Sequence, residues 1–276
     1  MTINCNGQLV NISTPKVMGI LNVTPDSFYD GGQNMRLTDI FKSTEKMLSE
    51  GATFIDVGGY SSRPGADDIS VEEELRRVVH VIEELVKIFP EIIISIDTFR
   101  SKIAKASVEA GAAIVNDISG GLLDKEMLST VGKLSVPYVM MHMKGTPQNM
   151  KEKAHYKNIT HEVIKHLSER LVEARANKII DIIADPGFGF AKNIQQNFEL
   201  FSNLELLKNL DIPLLVGISR KSMIYKTLDT TPSDALNGTT ALNMLALEKG
   251  ANILRVHDVK EAMECVTLFN KMHQSL

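Results

Sequence analysis

Polar side chains able to bind a ligand or do chemistry recur in this chain at one kind of place, the end of a short apolar run. Asn22, Asp56, Asp97, Asn116, His142 and Asp185 each close such a run, as do Ser219 with Arg220 and Lys221, and Arg255 with His257. A single Asp after a strand often does no more than cap the next helix. Eight run ends that are all polar point instead to a shared rim. Arg220 and Lys221, side by side after an apolar run, need anionic partners, because unpaired charge beside an apolar core is costly. Those partners are protein carboxylates, a substrate phosphate or both. The loop Asp185, Pro186, Gly187, Phe188, Gly189, Phe190 sets two aromatic rings beside a carboxylate, a combination suited to a flat heterocycle. His142 lies among Met140, Met141 and Met143 and reads as a structural rim or core histidine.

The elements that must position these residues follow a simple rhythm. Eight strand-like runs span 17–22, 54–57, 92–97, 113–116, 137–142, 182–185, 213–219 and 253–257. Short and branched, they suit strands buried on both faces of a parallel sheet. Helical patterns fill the gaps. The clearest is Val71, Leu75, Val78, Ile82, Leu85 and Phe89, opened by Ser70 and Glu73 as a capping box and braced by Glu72 with Arg76 and Glu73 with Arg77. Gly51–Ala52, Gly111–Ala112 and Gly250–Ala251 each end a helical pattern before a strand, where glycine is the usual left-handed stop. Eight βα units with no Pro-, Ser- or Gly-rich linker predict a single (β/α)8 TIM barrel over 1–276, close to the usual size of about 250 residues. A doubly wound open sheet is the other arrangement the alternation allows. In a barrel, chemistry sits at the C-terminal strand ends, where the polar residues fall. Ahead of it, residues 3–12 form two short runs around Asn6 and Gly7, a tight β-hairpin signal, and the hairpin is expected to act as a plug. The connections 23–37 and 58–70, which carry Phe28, Arg63, Pro64 and several glycines, exceed what a βα link needs and suggest lids.

Composition narrows the function classes. With 276 residues, 43% of them hydrophobic, the chain can bury a large core, and a net charge of −4 offers no basic excess for nucleic acid or anionic membrane. No run is long enough to span a bilayer and the N-terminus has no signal-like block, so the cytoplasm is the expected compartment. Cys5 and Cys265 are the only cysteines, far apart in sequence and without metal-site neighbours, and are expected to be reduced.

The segments 19–32 (Gly Ile Leu Asn Val Thr Pro Asp Ser Phe Tyr Asp Gly Gly), 55–65, 96–98, 115–119, 185–190, 217–222 (Gly Ile Ser Arg Lys Ser) and 255–258 resemble, in order and over nearly the whole chain, the dihydropteroate synthase family. The resemblance implies a pterin-binding barrel that joins 6-hydroxymethyl-7,8-dihydropterin pyrophosphate to 4-aminobenzoate, giving 7,8-dihydropteroate and pyrophosphate, in folate biosynthesis. It implies that Asp97, Asn116, Asp185 and Lys221 contact the pterin, and that Ser62, Arg255 and His257 hold the pyrophosphate. Phe28, Arg63, Pro64, Phe190 and Ser222 match the aminobenzoate site, and Asn22 the contact to Mg²⁺. Lys221, Arg255, His257 and Arg63 are the expected catalytic set, and a homodimer formed through outer helices is the family's assembly. Tyr60 stands where the family usually has Glu, and Ser62 where it often has Thr. Two neighbouring readings are a methyltetrahydrofolate–corrinoid methyltransferase and a non-catalytic pterin-binding paralogue. The first has no pyrophosphate for Arg255, His257 and Arg63 to hold; the second tends to lose the lid or phosphate residues present here.

Overall fold

The computed structural model describes residues 1–23, 33–61 and 68–273. Strands β1 (Thr2–Cys5) and β2 (Gln8–Asn11) pair antiparallel, with Cys5 opposite Gln8. Asn6 (φ 51°) and Gly7 (φ 89°) turn the chain between them, and this left-handed pair is why Asn-Gly suits the turn. After the hairpin come β3 (Lys16–Asn22), α1 (Gln33–Ser49), β4 (Phe54–Gly58), α2 (Val71–Ile88), β5 (Ile94–Asp97), α3 (Ser101–Glu109), β6 (Ile114–Asp117), α4 (Met127–Leu134), β7 (Tyr138–Met141) and α5 (Ile159–Ala176). The chain continues through β8 (Ile182–Asp185), α6 (Ile194–Ser202), β9 (Leu215–Val216), the short α7 (Ser222–Tyr225), α8 (Leu236–Glu248), β10 (Ile253–Val256) and α9 (Val259–His273).

The eight strands β3 to β10 form one parallel sheet in the order β8-β7-β6-β5-β4-β3-β10-β9. Its ends meet: Ala184 N–H donates to the Pro213 carbonyl at 2.8 Å beside a parallel bridge from Ala184 to Leu214, closing the barrel. The expected eighth-strand rhythm is therefore a barrel and not an open doubly wound sheet. Only β9 is much shorter than its apolar run of 213–219. After Val216 the backbone turns toward α7, with Lys221 N–H bonded to the Ile218 carbonyl and Arg220 at φ 53°.

Inside the barrel the two-residue strand period sorts floor from rim. Met18, Phe54, Ile114, Val139, Ile183, Leu215 and Ile253 cluster with Ile3, Cys5, Val10 and Ile12 of the hairpin, which plugs the N-terminal end. Two residues on from five of these strand positions stand Asp56, Asn116, Asp185, Gly217 and Arg255. The apolar floor thus sets the register of the polar layer above it.

The helix stops are alike. At Gly51, Gly111 and Gly250, with φ from 100° to 119°, the glycine N–H bonds the carbonyl three residues back and the following Ala N–H the carbonyl five back. This is the same two-bond cap three times over. At the start of α2, Ser70 Oγ accepts the Glu73 N–H at 3.1 Å, but the Glu73 carboxylate takes Arg77 (Nε, 2.7 Å) and Arg76 instead of returning to the cap. Arg76 is thus paired one turn back to Glu73, and not with Glu72. Among the described residues no helix is long and apolar enough to cross a membrane.

Candidate active site

Strand register brings the predicted residues to one mouth. Asn22 lies opposite Gly58, Gly58 opposite Asp97, and Asp97 opposite Asn116, while Met141 pairs with Asp185. Across this mouth Arg255 reaches inward and binds two carboxylates, with Nε on Asp56 at 2.6 Å and Nη2 on Asp97 at 2.7 Å. The same Asp56 oxygen accepts Asn116 Nδ2–H at 3.0 Å. Asp56, wholly buried, is the pivot that orients both Arg255 and Asn116. Sequence reading had placed it at a strand end and given it no role.

Two acceptors are left over by this network. Among the described residues, Oδ1 of Asp97 and Oδ2 of Asp185 have no protein hydrogen bond, whereas Asp185 Oδ1 accepts the Gly187 N–H at 2.7 Å. Burial pushes Asp97 up to about 7, against the pull of Arg255 and with the push of Asp56. Burial likewise raises Asp185, opposed by Lys221, the Gly187 N–H and Arg255. Lys221 is brought down to about 8 by burial, with Asp185 holding it up. Its Nζ donates to the Phe188 carbonyl at 2.5 Å and sits 5.0 Å from the Phe190 ring centre. Gly217 lies between the two cations: a Cβ on it would stand in ordinary contact with both, 3.8 Å from Arg255 Cβ and 3.9 Å from Lys221 Nζ.

The two neighbouring cations part company. Arg220 turns away from the mouth, bidentate on Asp258 at 2.8 and 2.9 Å, with Nη1 on the Pro232 and Ser233 carbonyls. Its anionic partner is a protein carboxylate, and its task is to tie the start of α7 to the end of β10. His257 lies just beyond β10 instead of within it, and its Nδ1 is 3.0 Å from Ser219 Oγ. A cavity of about 310 Å³ is lined by Asn22 and His257 together with Ile20, Ser43, Lys46 and Met47. Ser222 opens α7 beside Lys221. Phe28, Ser62, Arg63 and Pro64 lie outside the described residues.

His142 is buried, as its methionine neighbours suggest, and its pKa is driven down chiefly by burial and then by Lys192. Lys192 escaped sequence reading, although a lysine two residues after the Phe188–Phe190 pair and just before a helix cap is visible in the sequence. Tyr60 is also accounted for. Its ring packs edge-on to Phe99 with centres 5.0 Å apart, Arg100 lies over it at 5.2 Å, and its hydroxyl accepts Gln148 Nε2–H at 2.8 Å. Arg100 in turn binds the buried Glu74 at 2.8 Å and Asp68 at 3.0 Å, so an aromatic ring here stacks on a cation that already has its carboxylates.

Among the described residues no group of three or more His, Cys, Asp or Glu side chains could hold a metal. What remains is the Asn22 carboxamide, half-buried, without a hydrogen bond among the described residues, and lining a cavity with His257. A single neutral oxygen fits Mg²⁺, which keeps waters and draws its other ligands from phosphate oxygens.

Residues 18–257 match the family described as pterin binding enzyme. The dihydropteroate synthase of Escherichia coli K12 is 42% identical over 268 residues, covering 96% of this chain and 94% of its own. The crystal structure of the Yersinia pestis dihydropteroate synthase with a sulfonamide drug superposes with a TM-score of 0.93 at 39% identity, covering 99% of this chain and all of that one. The Xanthomonas albilineans dihydropteroate synthase, solved with 4-aminobenzoic acid, gives 0.92 at 38% identity, covering 99% and 98%. The chain belongs to the pterin-binding enzyme family and, within it, to the dihydropteroate synthases, transferases of folate biosynthesis.

Proposed function

We propose that this site joins 6-hydroxymethyl-7,8-dihydropterin pyrophosphate to 4-aminobenzoate with a division of labour that follows its charges. The observation that carries the reading is the pair of open carboxylate oxygens, Asp97 Oδ1 and Asp185 Oδ2, set around a mouth that Arg255 and Lys221 keep electrically balanced. A pterin presents an amino and N–H donor edge and an oxo acceptor. Asp185 and Asp97 take the donors, Asn116 and Lys221 complete the polar edge, and a site of this kind rejects analogues that leave its buried groups unpaired.

The pyrophosphate is assigned to Arg255 and His257, with Asn22 sharing a cavity with His257 and with Ser62 a further contact implied by the family resemblance. Arg255 has Nε and Nη2 engaged, so Nη1 is the edge it offers to an anion. Mg²⁺ held by Asn22, when bound, supplies charge to the departing pyrophosphate oxygens. The aromatic amine is neutral near pH 7 and already nucleophilic, so no strong general base is called for. Phe190 and Ser222, with Phe28, Arg63 and Pro64, form the aminobenzoate site in this reading, and Lys221 stands between the two substrates. Arg255, His257, Lys221 and Arg63 are the catalytic group, acting mainly by stabilising the negative charge that builds on the leaving side.

The chain acts as one domain over 1–276, in the cytoplasm, as a homodimer. Exposed Leu245 on α8 and Leu268 and Met272 on α9 support pairing through outer helices. The test of the reaction is incubation of the purified protein with the pterin pyrophosphate, 4-aminobenzoate and Mg²⁺. Formation of 7,8-dihydropteroate with release of one pyrophosphate is expected; release of pyrophosphate without an aryl adduct would overturn it.

A further inference from the structure

Beneath the Asp185–Phe190 loop lies a buried lysine that the reaction as described does not use. Lys192 is only 8% exposed and makes no salt bridge among the described residues. Its Nζ donates to the Gly187 carbonyl at 2.8 Å and the Phe190 carbonyl at 3.0 Å and stands 2.9 Å from His142 Nδ1, and burial pulls its pKa well below the usual lysine range. Nζ thus has three close partners, with the His142 carbonyl more distant at 3.4 Å. Burial holds the His142 ring neutral, so one hydrogen bond joins Nδ1 and Nζ. Burying a lone cation is expensive, and replacing it with an apolar side chain is often harmless to stability where geometry is all that matters. A reason to keep it is therefore to be sought in what it holds.

It holds a segment whose backbone is otherwise hard to hold. Gly187, Gly189 and Ala191 all have positive φ, at 69°, 82° and 48°, and a Cβ on Gly187 would lie 2.0 Å from the His142 carbonyl. Such a winding path turns successive carbonyls to opposite sides. Those of Gly187 and Phe190 point down to Lys192, while that of Phe188 points to Lys221 at 2.5 Å. The loop is gripped between two lysine Nζ atoms, one below it and one in the mouth.

We propose that Lys192 is a positioning residue of the active site: it clamps the 187–190 backbone from beneath, so that the Phe188 carbonyl and the Phe190 ring hold Lys221 in place against Asp185. The inference rests on the reading of Lys221 and Asp185 as pterin contacts. It differs from a general contribution to folding because it runs through one residue, Lys221.

A double-mutant cycle separates the two. Lys192→Met, Lys221→Met and the double variant are compared with wild type by titration calorimetry with a pyrophosphate-free pterin, which needs no turnover. Coupled neighbours lose additivity. Lys192→Met is expected to weaken pterin binding about tenfold in the wild-type background and less than about threefold where Lys221 is already gone. Equal losses in the two backgrounds, or no loss at all, would overturn the proposal. Lys192→Gln, which keeps N–H donors for the loop carbonyls, is expected to recover part of the affinity and serves where the methionine variant does not fold. If neither folds by circular dichroism, Lys192 is a determinant of the fold and the assignment falls. Wild-type protein that binds pterin yet makes no dihydropteroate would sink the reaction while leaving the cycle readable.

Discussion

Arg255 and Asp97 meet at 2.7 Å although their strands, β10 and β5, are separated in the sheet by β3 and β4. The guanidinium spans the barrel mouth, and Asp56 on β4 catches its Nε at 2.6 Å on the way. This makes Asp56 the support of both Arg255 and Asn116, and its other oxygen, Oδ1, is buried with no partner among the described residues. Removing one member of a buried ion pair typically costs about 3–5 kcal/mol, because the other charge is left uncompensated. Asp56→Asn, which keeps the shape, should destabilise by an amount in that range in urea unfolding and should weaken pterin binding as well. A loss of only a few tenths of a kcal/mol, the size typical of exposed pairs, would show that water screens the network.

The two ionisable groups that face the ligand have been moved toward each other. Asp97, ordinarily near 3.8, is raised to about 7, and Lys221, ordinarily near 10.5, is lowered to about 8. The ligand needs the carboxylate as an acceptor and the ammonium as a donor, so kcat/KM for the pterin substrate should be bell-shaped, falling below about pH 7 and above about pH 8. Both shifts oppose folding. The raised Asp97 lowers stability progressively as pH climbs from about 4 to 7, and the lowered Lys221 gives stability back as pH climbs from about 8 to 10.5. Asp97→Asn should flatten the acid limb at reduced overall rate, and a limb unchanged in that variant would assign it to another group.

What could be read from the chain alone was whatever repeats or alternates locally. The glycine–alanine stops at Gly51, Gly111 and Gly250 and the polar strand ends pointed to a barrel with a polar rim, whereas the layer shared by Asp56, Asn116, Asp185 and Arg255 is set by the strand register. Partner choice was not legible, because it is settled across long stretches of chain. Arg220 and Lys221 are adjacent, yet one pairs with Asp258 and the other bonds the Phe188 carbonyl, since the left-handed Arg220 (φ 53°) throws the two side chains apart. Lys192 and His142, fifty residues apart, likewise find each other only in three dimensions.

Asp185→Asn isolates a single charge. The carboxamide can keep its oxygen on the Gly187 N–H, so the loop should stay in place while the open Oδ2 becomes a donor or is lost as an acceptor. Losing one charge-assisted hydrogen bond should weaken pterin binding by about 1.5–3 kcal/mol, with the melting temperature changed little. Unchanged pterin affinity in calorimetry would remove Asp185 from the ligand's edge.

The placing of Asn22 carries the last prediction. Its carboxamide lies with His257 on one cavity of about 310 Å³ that Glu50 also lines, and among the described residues no group of three or more His, Cys, Asp or Glu side chains could hold the ion instead. A divalent ion held by one amide oxygen is held mostly by the substrate's own phosphates, so affinity for it should be weak until the pyrophosphate is present. Chelation should therefore abolish turnover and leave the binding of a pyrophosphate-free pterin nearly untouched, because that ligand uses Asp97, Asn116 and Asp185. Asn22→Ala should raise the Mg²⁺ concentration needed for half-maximal rate, with pterin affinity in calorimetry the same as in wild type. Full turnover in excess chelator, or a pterin affinity that falls with the metal, would refute a role confined to the leaving group. The second of those outcomes would also bring the ion onto the open oxygens of Asp97 and Asp185, the first of which stands across Gly58 from Asn22.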